Sequence, residues 1–184
     1  MKPFVHPQPV GIIGGGTCSP SQYDTAYKVA FGLAENRLAV LCGGRGGVME
    51  AACKGAFDAG GSAIALLPGV DLASANPFVT LALPTGLGNR DQAIADGRPD
   101  FSRNRIIAMA ASCLVAIGGA SGTANEIKLG LLFGKTVYCL ENAPPPEDAD
   151  QIDPRRLENN LIPMNGSDET VEAVLELVGT FKVD

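Results

Sequence analysis

Short apolar runs alternate with amphipathic stretches along most of the chain. Residues 10–13, 38–42, 62–67, 113–117 and 136–140 are nearly continuous apolar runs, the pattern of strands buried on both faces. The stretches between them repeat their apolar positions with a helical period. The clearest predicts a helix over 20–36, with Tyr23, Ala26, Tyr27, Ala30, Leu33 and Ala34 on its inner face. Ser19-Pro20-Ser21-Gln22 introduces it as a capping box with proline at the first helical position. A second helix is predicted over 48–59, closed by Gly60-Gly61. Others span 102–111, 123–133 (stopped by Gly134) and 167–181, the last with Val171, Val174, Leu175 and Val178 facing inward. Residues 78–83 and 161–164 read as weaker, edge-like strands.

Strands alternating with helices predict an α/β chain. The expected fold is Rossmann-like and doubly wound, a mostly parallel sheet of about six to seven strands with helices on both faces. Residues 1–184 are read as a single nucleotide- or cofactor-binding domain, with 1–9 a loose arm and 91–100 a surface excursion. The acidic, proline-rich stretch 141–160 reads as a loop or lid with at most one short helix. Right-handed crossovers bring the strand C-termini to one edge, and a ligand is expected where the strand order reverses, between the first strand and the later ones.

Three of the strands run straight into glycines: Gly14-Gly15-Gly16-Thr17, Gly43-Gly44-Arg45-Gly46-Gly47, and Gly118-Gly119 followed by Ser121-Gly122-Thr123 at a helix start. Glycine turns that feed helix N-termini cradle anions, because bare amides and the helix dipole point at the same place. The candidate phosphate-binding set is therefore Gly14, Gly15, Gly16, Thr17, Gly43, Gly44, Arg45, Gly46, Gly47, Gly119, Ser121, Gly122 and Thr123, together with Gly86 from the 85–90 turn. Each turn also has a plain reading as a tight connection, and Arg45 as a solvated side chain. Leu41-Cys42-Gly43 ends the second strand where a dinucleotide site places an acid for the ribose, and no GxxxxGK[ST] occurs, so neither NAD binding nor a P-loop is favoured. Glu126 has two readings. With Thr123 it forms a second capping box, which gives it a structural reason to be there, or its carboxylate is aimed into the cleft mouth. Arg103 and Arg105 open the helix before the third of these turns, and at that spacing only one of them can face the cleft.

Composition narrows the partners. With 46% apolar and 18% charged residues and a net charge of −6, the chain lacks the basic face that a nucleic-acid partner demands. No run approaches the length of a membrane span, and prolines occupy the N-terminal stretch where an export signal needs an apolar run. Cysteines at 18, 42, 53, 113 and 139 are odd in number, without a CxxC, and mostly within apolar runs. They read as reduced core residues of a cytoplasmic protein. His6 is the sole histidine, which argues against a zinc site or a Ser–His triad.

GGRGGVMEAACKGA (43–56), PTGLG (84–88), SRNR (102–105) and GGASGTANE (118–126) together resemble the LONELY GUY and lysine-decarboxylase-like superfamily. The nearest likeness is to the branch containing molybdenum cofactor carrier proteins, and it spans roughly residues 10–140. The LONELY GUY enzymes are phosphoribohydrolases of cytokinin nucleoside 5′-monophosphates and carry a PGGxGTxxE motif. Against that motif, Gly118 stands for the proline, Ala120 for the second glycine, and Gly122, Thr123 and Glu126 match; Arg103 matches the preceding arginine, with Asn104 in place of a lysine. The resemblance implies a phosphorylated small-molecule ligand, a homo-oligomer (dimer or tetramer), and either of two activities. One is a carrier that holds a nucleotide or the molybdenum cofactor (molybdopterin) as cargo. The other is a hydrolase of the N-glycosidic bond, in which Arg103 and Glu126 are catalytic. A regulatory sensor or scaffold is a third expectation. Decarboxylation on a pyridoxal-phosphate lysine is not supported, because Lys28, Lys54, Lys128 and Lys135 lie on helices or a helix end away from the glycine turns.

Overall fold

The computed structural model describes residues 9–88 and 102–178. The 1–9 arm (all but Pro9), the 91–100 excursion and the end of the last helix lie outside the described residues. The strands are β1 (Val10–Gly14), β2 (Val40–Cys42), β3 (Ala63–Leu67), β4 (Leu81–Pro84), β5 (Leu114–Ile117), β6 (Val137–Leu140) and β7 (Leu161–Pro163). They form one seven-stranded sheet in the order β4-β3-β2-β1-β5-β6-β7. Every pairing is parallel, so the mostly parallel sheet expected from the sequence is wholly parallel here.

The order runs outward from β1 in both directions, so it reverses between β1 and β5. Gly14 pairs with Ile117 and Gly11 with Leu41. That register ends β1, β2 and β5 at nearly the same level and brings the turns that follow them side by side.

Helices α1 (Pro20–Glu35), α2 (Val48–Asp58) and α6 (Ser167–Val178) cover one face, and α3 (Arg103–Ala110) and α4 (Ser121–Leu132) the other. Val10 and Ile12 pack with Ala26, Val29, Leu33, Val48 and Val174 on the first face. Ile13, Leu41 and Leu114 pack with Ile107, Ile127 and Leu131 on the second. Each of the larger side chains fully removed from water contributes about 1.5–3 kcal/mol. The α1 capping box forms as its sequence predicts: Gln22 N donates to Ser19 Oγ (3.2 Å) and Ser19 N donates to Gln22 Oε1 (3.0 Å).

Three expectations are corrected. The Thr123–Glu126 capping box does not form. Helix α4 begins at Ser121, with Ala120 as an N-cap that has no side-chain hydrogen bond, and Glu126 lies a turn further in, buried. The 141–160 stretch holds two short helices rather than at most one, a 3-10 turn at Ala149–Gln151 and α5 (Pro154–Asn160). Asp153 accepts from Arg155 N (2.9 Å) and caps α5, with Pro154 at its first position. Rather than a free lid, the stretch is strapped to α4: Glu147 N donates to Ala124 O (3.1 Å), Asn125 Nδ2 to Glu147 (3.0 Å), and Lys128 Nζ to Asp148 (2.6 Å). The strand expected over 78–83 is displaced to Leu81–Pro84, because Thr80 hydrogen-bonds to Ala63 in both directions and Asn76 Oδ1 takes up Phe78 N. Among the described residues no helix is long and apolar enough to cross a membrane.

Candidate functional site

The turns after β1 and β2 are built on one another. Gly15 O accepts from Val48 N (3.0 Å), which ties the β1 turn to the first residue of α2. Gly47, the N-cap of α2, has φ 65°, and a Cβ there would run into the Gly15 carbonyl. Buried Asn76 pins the β2 turn from outside, donating from its backbone N to Gly44 O (2.8 Å) and from Nδ2 to Arg45 O (3.0 Å). After β5 the chain turns through Gly118 (φ 50°) and Gly119 (φ 99°) into α4. The first turn of that helix has no side-chain cap, so its amides remain open to an outside acceptor.

Helix α1 differs. Besides its capping box, it has Glu141 alongside its first turn, accepting from Ser21 Oγ (2.9 Å) and Thr25 Oγ1 (3.0 Å). Glu141 and Asn142 sit at φ 51° and 56° in a turn closed by Ala143 N to Leu140 O (3.0 Å). This left-handed pair carries the carboxylate from the end of β6 across to α1.

A cavity of about 220 Å³ opens where the strand order reverses. Its walls are Gly14, Gly15 and Gly16 from the β1 turn, Arg45 and Met49 from the β2 side, Arg103 and Asn104 from α3, and Ala120, Gly122, Thr123 and Glu126 from the start of α4. Of the residues singled out from sequence, Gly14, Gly15, Gly16, Arg45, Arg103, Gly122, Thr123 and Glu126 meet there. The others do not line it. Thr17 and Ser121 are exposed at its margins, and Gly44, Gly46 and Gly47 shape the β2 turn behind Arg45. Gly119 (φ 99°) leaves room for the Thr123 side chain. Gly86 belongs to the turn after edge strand β4, donates to Gly69 O (2.9 Å), and lies away from the cavity.

Gly43 acts through another residue. A Cβ at Gly43 would fall on Arg103 Nη1, so the missing side chain makes the seat for that guanidinium. Arg103 is 5% exposed, and its Nε is buried without a hydrogen-bond partner among the described residues. Its backbone N donates to Gly88 O (3.2 Å), which sets the start of α3 on the β4 turn. Arg105, two residues on, turns away and lies over the Phe133 ring at 5.1 Å, as the spacing predicts.

Burial holds the Arg103 pKa below the usual arginine range and nearby Arg45 adds to this, while Glu126 and the Cys42 thiol pull the other way. Glu126 is 7% exposed. Burial pushes its carboxyl up to about 7, against the attraction of Arg103. The cavity thus holds two guanidinium groups, one of them deeply buried and short of a partner, and one carboxyl poised near neutrality.

Met49 was not singled out from sequence, and Ala120 and Asn104 were noticed only as the residues standing where the resemblance has glycine and lysine. A methionine on an amphipathic helix carries no pattern that separates a cavity wall from core. Asn104 Nδ2 donates to Asn125 Oδ1 (3.4 Å), which links the cavity to the strap over α4.

Several known proteins are similar to this chain. An uncharacterized protein of Archaeoglobus fulgidus is 37% identical over 133 residues, 72% of this chain and 79% of its own length. The molybdenum cofactor binding protein of the phototrophic bacterium Rippkaea orientalis is 26% identical, with a TM-score of 0.77 over 95% of this chain and 99% of that one. The molybdenum cofactor carrier protein of Chlamydomonas reinhardtii is 28% identical, with a TM-score of 0.74 over 94% of this chain and 98% of that one. The SLOG cluster4 family model matches residues 8–174, nearly the whole chain, and the protein belongs to that family.

Proposed function

We propose that the chain is a carrier or binding protein that holds a phosphorylated heterocyclic ligand, a nucleotide or the molybdenum cofactor, with the phosphate in the cavity between β1 and β5. The observation that carries this reading is buried Arg103, whose Nε has no hydrogen-bond partner among the described residues and which lines the same cavity as Arg45 and the uncapped start of α4. Such an arrangement suits an oxyanion, which brings several acceptors at once. The structural likeness to molybdenum cofactor binding and carrier proteins supports the choice of ligand class. At about 220 Å³ the cavity is smaller than sites that engulf a whole cofactor, roughly 300–1,000 Å³. It suits the anionic end, with the heterocycle toward the opening.

The test is ligand retention. Protein purified from cells that make the cofactor is expected to release a fluorescent pterin on oxidation. Arg45→Ala, and Gly43→Ala through displacement of Arg103, are each expected to weaken binding on the order of tenfold, the effect of one charge-assisted hydrogen bond. Unchanged retention in both variants would sink the reading.

A second reading, hydrolysis of the N-glycosidic bond of a nucleoside 5′-monophosphate, is favoured by the buried carboxyl of Glu126 beside Arg103. There Glu126 and Arg103 would orient the ribose and stabilise the developing oxocarbenium charge. It predicts release of free base from a panel of nucleoside 5′-monophosphates and loss of that release in Glu126→Gln. No release at high protein concentration rejects it.

A further inference from the structure

Glu126 is at odds with an anion site. It lines the same cavity as Arg45 and Arg103 and is 7% exposed. An ionised carboxylate there would offset one guanidinium and repel the oxygens of any oxyanion drawn in by the other, with little water between them. Among the described residues the charged and titratable groups around it are few. Helix α3 brings Arg103, with Asn104 neutral beside it, and the β2 turn brings Arg45. Behind Arg103 lies the Cys42 thiol, kept neutral by its contact with Cys53 and by burial. The β1 turn contributes only glycines, and the start of α4 only Ala120, Gly122 and Thr123. Lys128, further along α4, is engaged with Asp148, and Arg105 lies over Phe133. Of these groups Arg103 alone draws Glu126 toward its charged form. A bound dianion would claim that same guanidinium, and Arg45 with it.

We propose that binding of a phosphate-type dianion in this cavity is coupled to uptake of one proton by Glu126, so that the carboxyl donates a hydrogen bond to the oxyanion instead of repelling it. The proton comes from solvent and returns there when the ligand leaves. The proposal rests on the anion-binding reading above and adds the regulation of that site: the hold on the ligand is firm at mildly acidic pH and slackens as the medium turns alkaline. Burial already raises the Glu126 carboxyl to about 7 in the free protein, and a neighbouring negative charge raises it further. Two groups that each disfavour the other's charge titrate as a unit.

Inorganic sulfate is the discriminating probe, because it stays a dianion from pH 6 to 9 and adds no titration of its own. For the wild-type protein the Kd for sulfate is expected to be flat below about pH 6.5 and to rise by on the order of tenfold or more by pH 8.5. Calorimetric titration at pH 8 in two buffers of different ionisation enthalpy is expected to register about one proton taken up per sulfate bound. Glu126→Gln is expected to lose both the pH slope and the proton uptake. Arg45→Ala is expected to weaken binding at every pH while keeping the slope.

Saturable sulfate binding with no pH slope and no proton uptake in the wild type would overturn the coupling and leave the anion site standing. A slope that persists in Glu126→Gln would overturn the assignment to Glu126. Absence of binding at every pH in the wild type would overturn the anion site, and the coupling with it. If Glu126→Gln does not fold, the wild-type proton count decides the matter alone.

Discussion

Burial moves the Glu126 carboxyl from its ordinary value of 4.5 to about 7, and this bears on stability as well as binding. The folded state holds the proton more tightly than the unfolded chain. The group's favourable contribution is therefore complete below about pH 4.5 and is lost as pH climbs toward 7, at about 1.4 kcal/mol per unit. Glu126→Gln mimics the protonated form. It is expected to match the wild type in urea unfolding at pH 4.5 and to exceed it at pH 8, by on the order of 3 kcal/mol. An equal difference at both pH values would show that the wild-type carboxyl carries no burial penalty. The sequence offers two readings of Glu126, a capping partner of Thr123 or a carboxylate aimed at the cleft, and the structure removes the first and buries Glu126 in the cavity wall. Thr-x-x-Glu reads as a capping box only if the threonine is the N-cap, and here the N-cap is Ala120, with the helix starting at Ser121. The spacing cannot reveal that shift, because Ser121 and Gly122 are as compatible with a turn as with a first helical turn. Arg103 was legible as one of two arginines. The reason it can be buried, the bare Cα of Gly43 beneath its guanidinium, is a contact across 60 residues of chain that no local pattern encodes.

At the scale of elements, the turn between β2 and α2 is the most demanding. Gly47 combines a positive φ with a backbone oxygen, Gly15 O, standing where a Cβ would go. Gly47→Ala is expected to cost about 2 kcal/mol or more in chemical denaturation, with the left-handed conformation and the backbone clash adding together. By contrast Gly60→Ala, at φ 72° with open space around it, is expected to cost only about 1 kcal/mol. Strands buried on both faces and the α1 capping box were legible because each is written in adjacent residues. The 141–160 stretch was only half legible. Its acid and proline content suggested a loop, yet Asp153-Pro154 is itself a helix-start signal, and the strap over α4 depends on Asn125 and Lys128 presenting partners from a distant element.

Across the whole molecule, Cys42, Cys53 and Cys113 are sealed in the core beneath α1, α2 and α6, and burial pushes Cys113 up to about 11. A thiol reagent is expected to reach partly exposed Cys18 first and to modify the three sealed thiols only at the rate of global unfolding, so that mass-spectrometric labelling in a denaturant series reads the stability of the entire sheet. Rapid native-state labelling of Cys113 would contradict a continuous core beneath β5. At this scale the sequence indicated the parallel sheet, the reversal beside β1 and the meeting of three glycine turns. It did not indicate which turn would be left out: the Gly86 turn follows β4 at the far edge, three strands from β1. Nor did it distinguish the helix starts beside β1 and β5, both of which follow glycines. The Leu140–Ala143 turn separates them by holding Glu141 against Ser21 and Thr25. A tethered carboxylate is an internal competitor whose effective concentration is on the order of millimolar or above. Any free anion approaching α1 contends with a rival that never diffuses away, whereas Ala120, the N-cap of α4, supplies no side-chain hydrogen bond to that helix start. A single left-handed turn thus makes the two neighbouring helix starts unequal: the hydroxyls at the start of α1 already hold a carboxylate of the same chain.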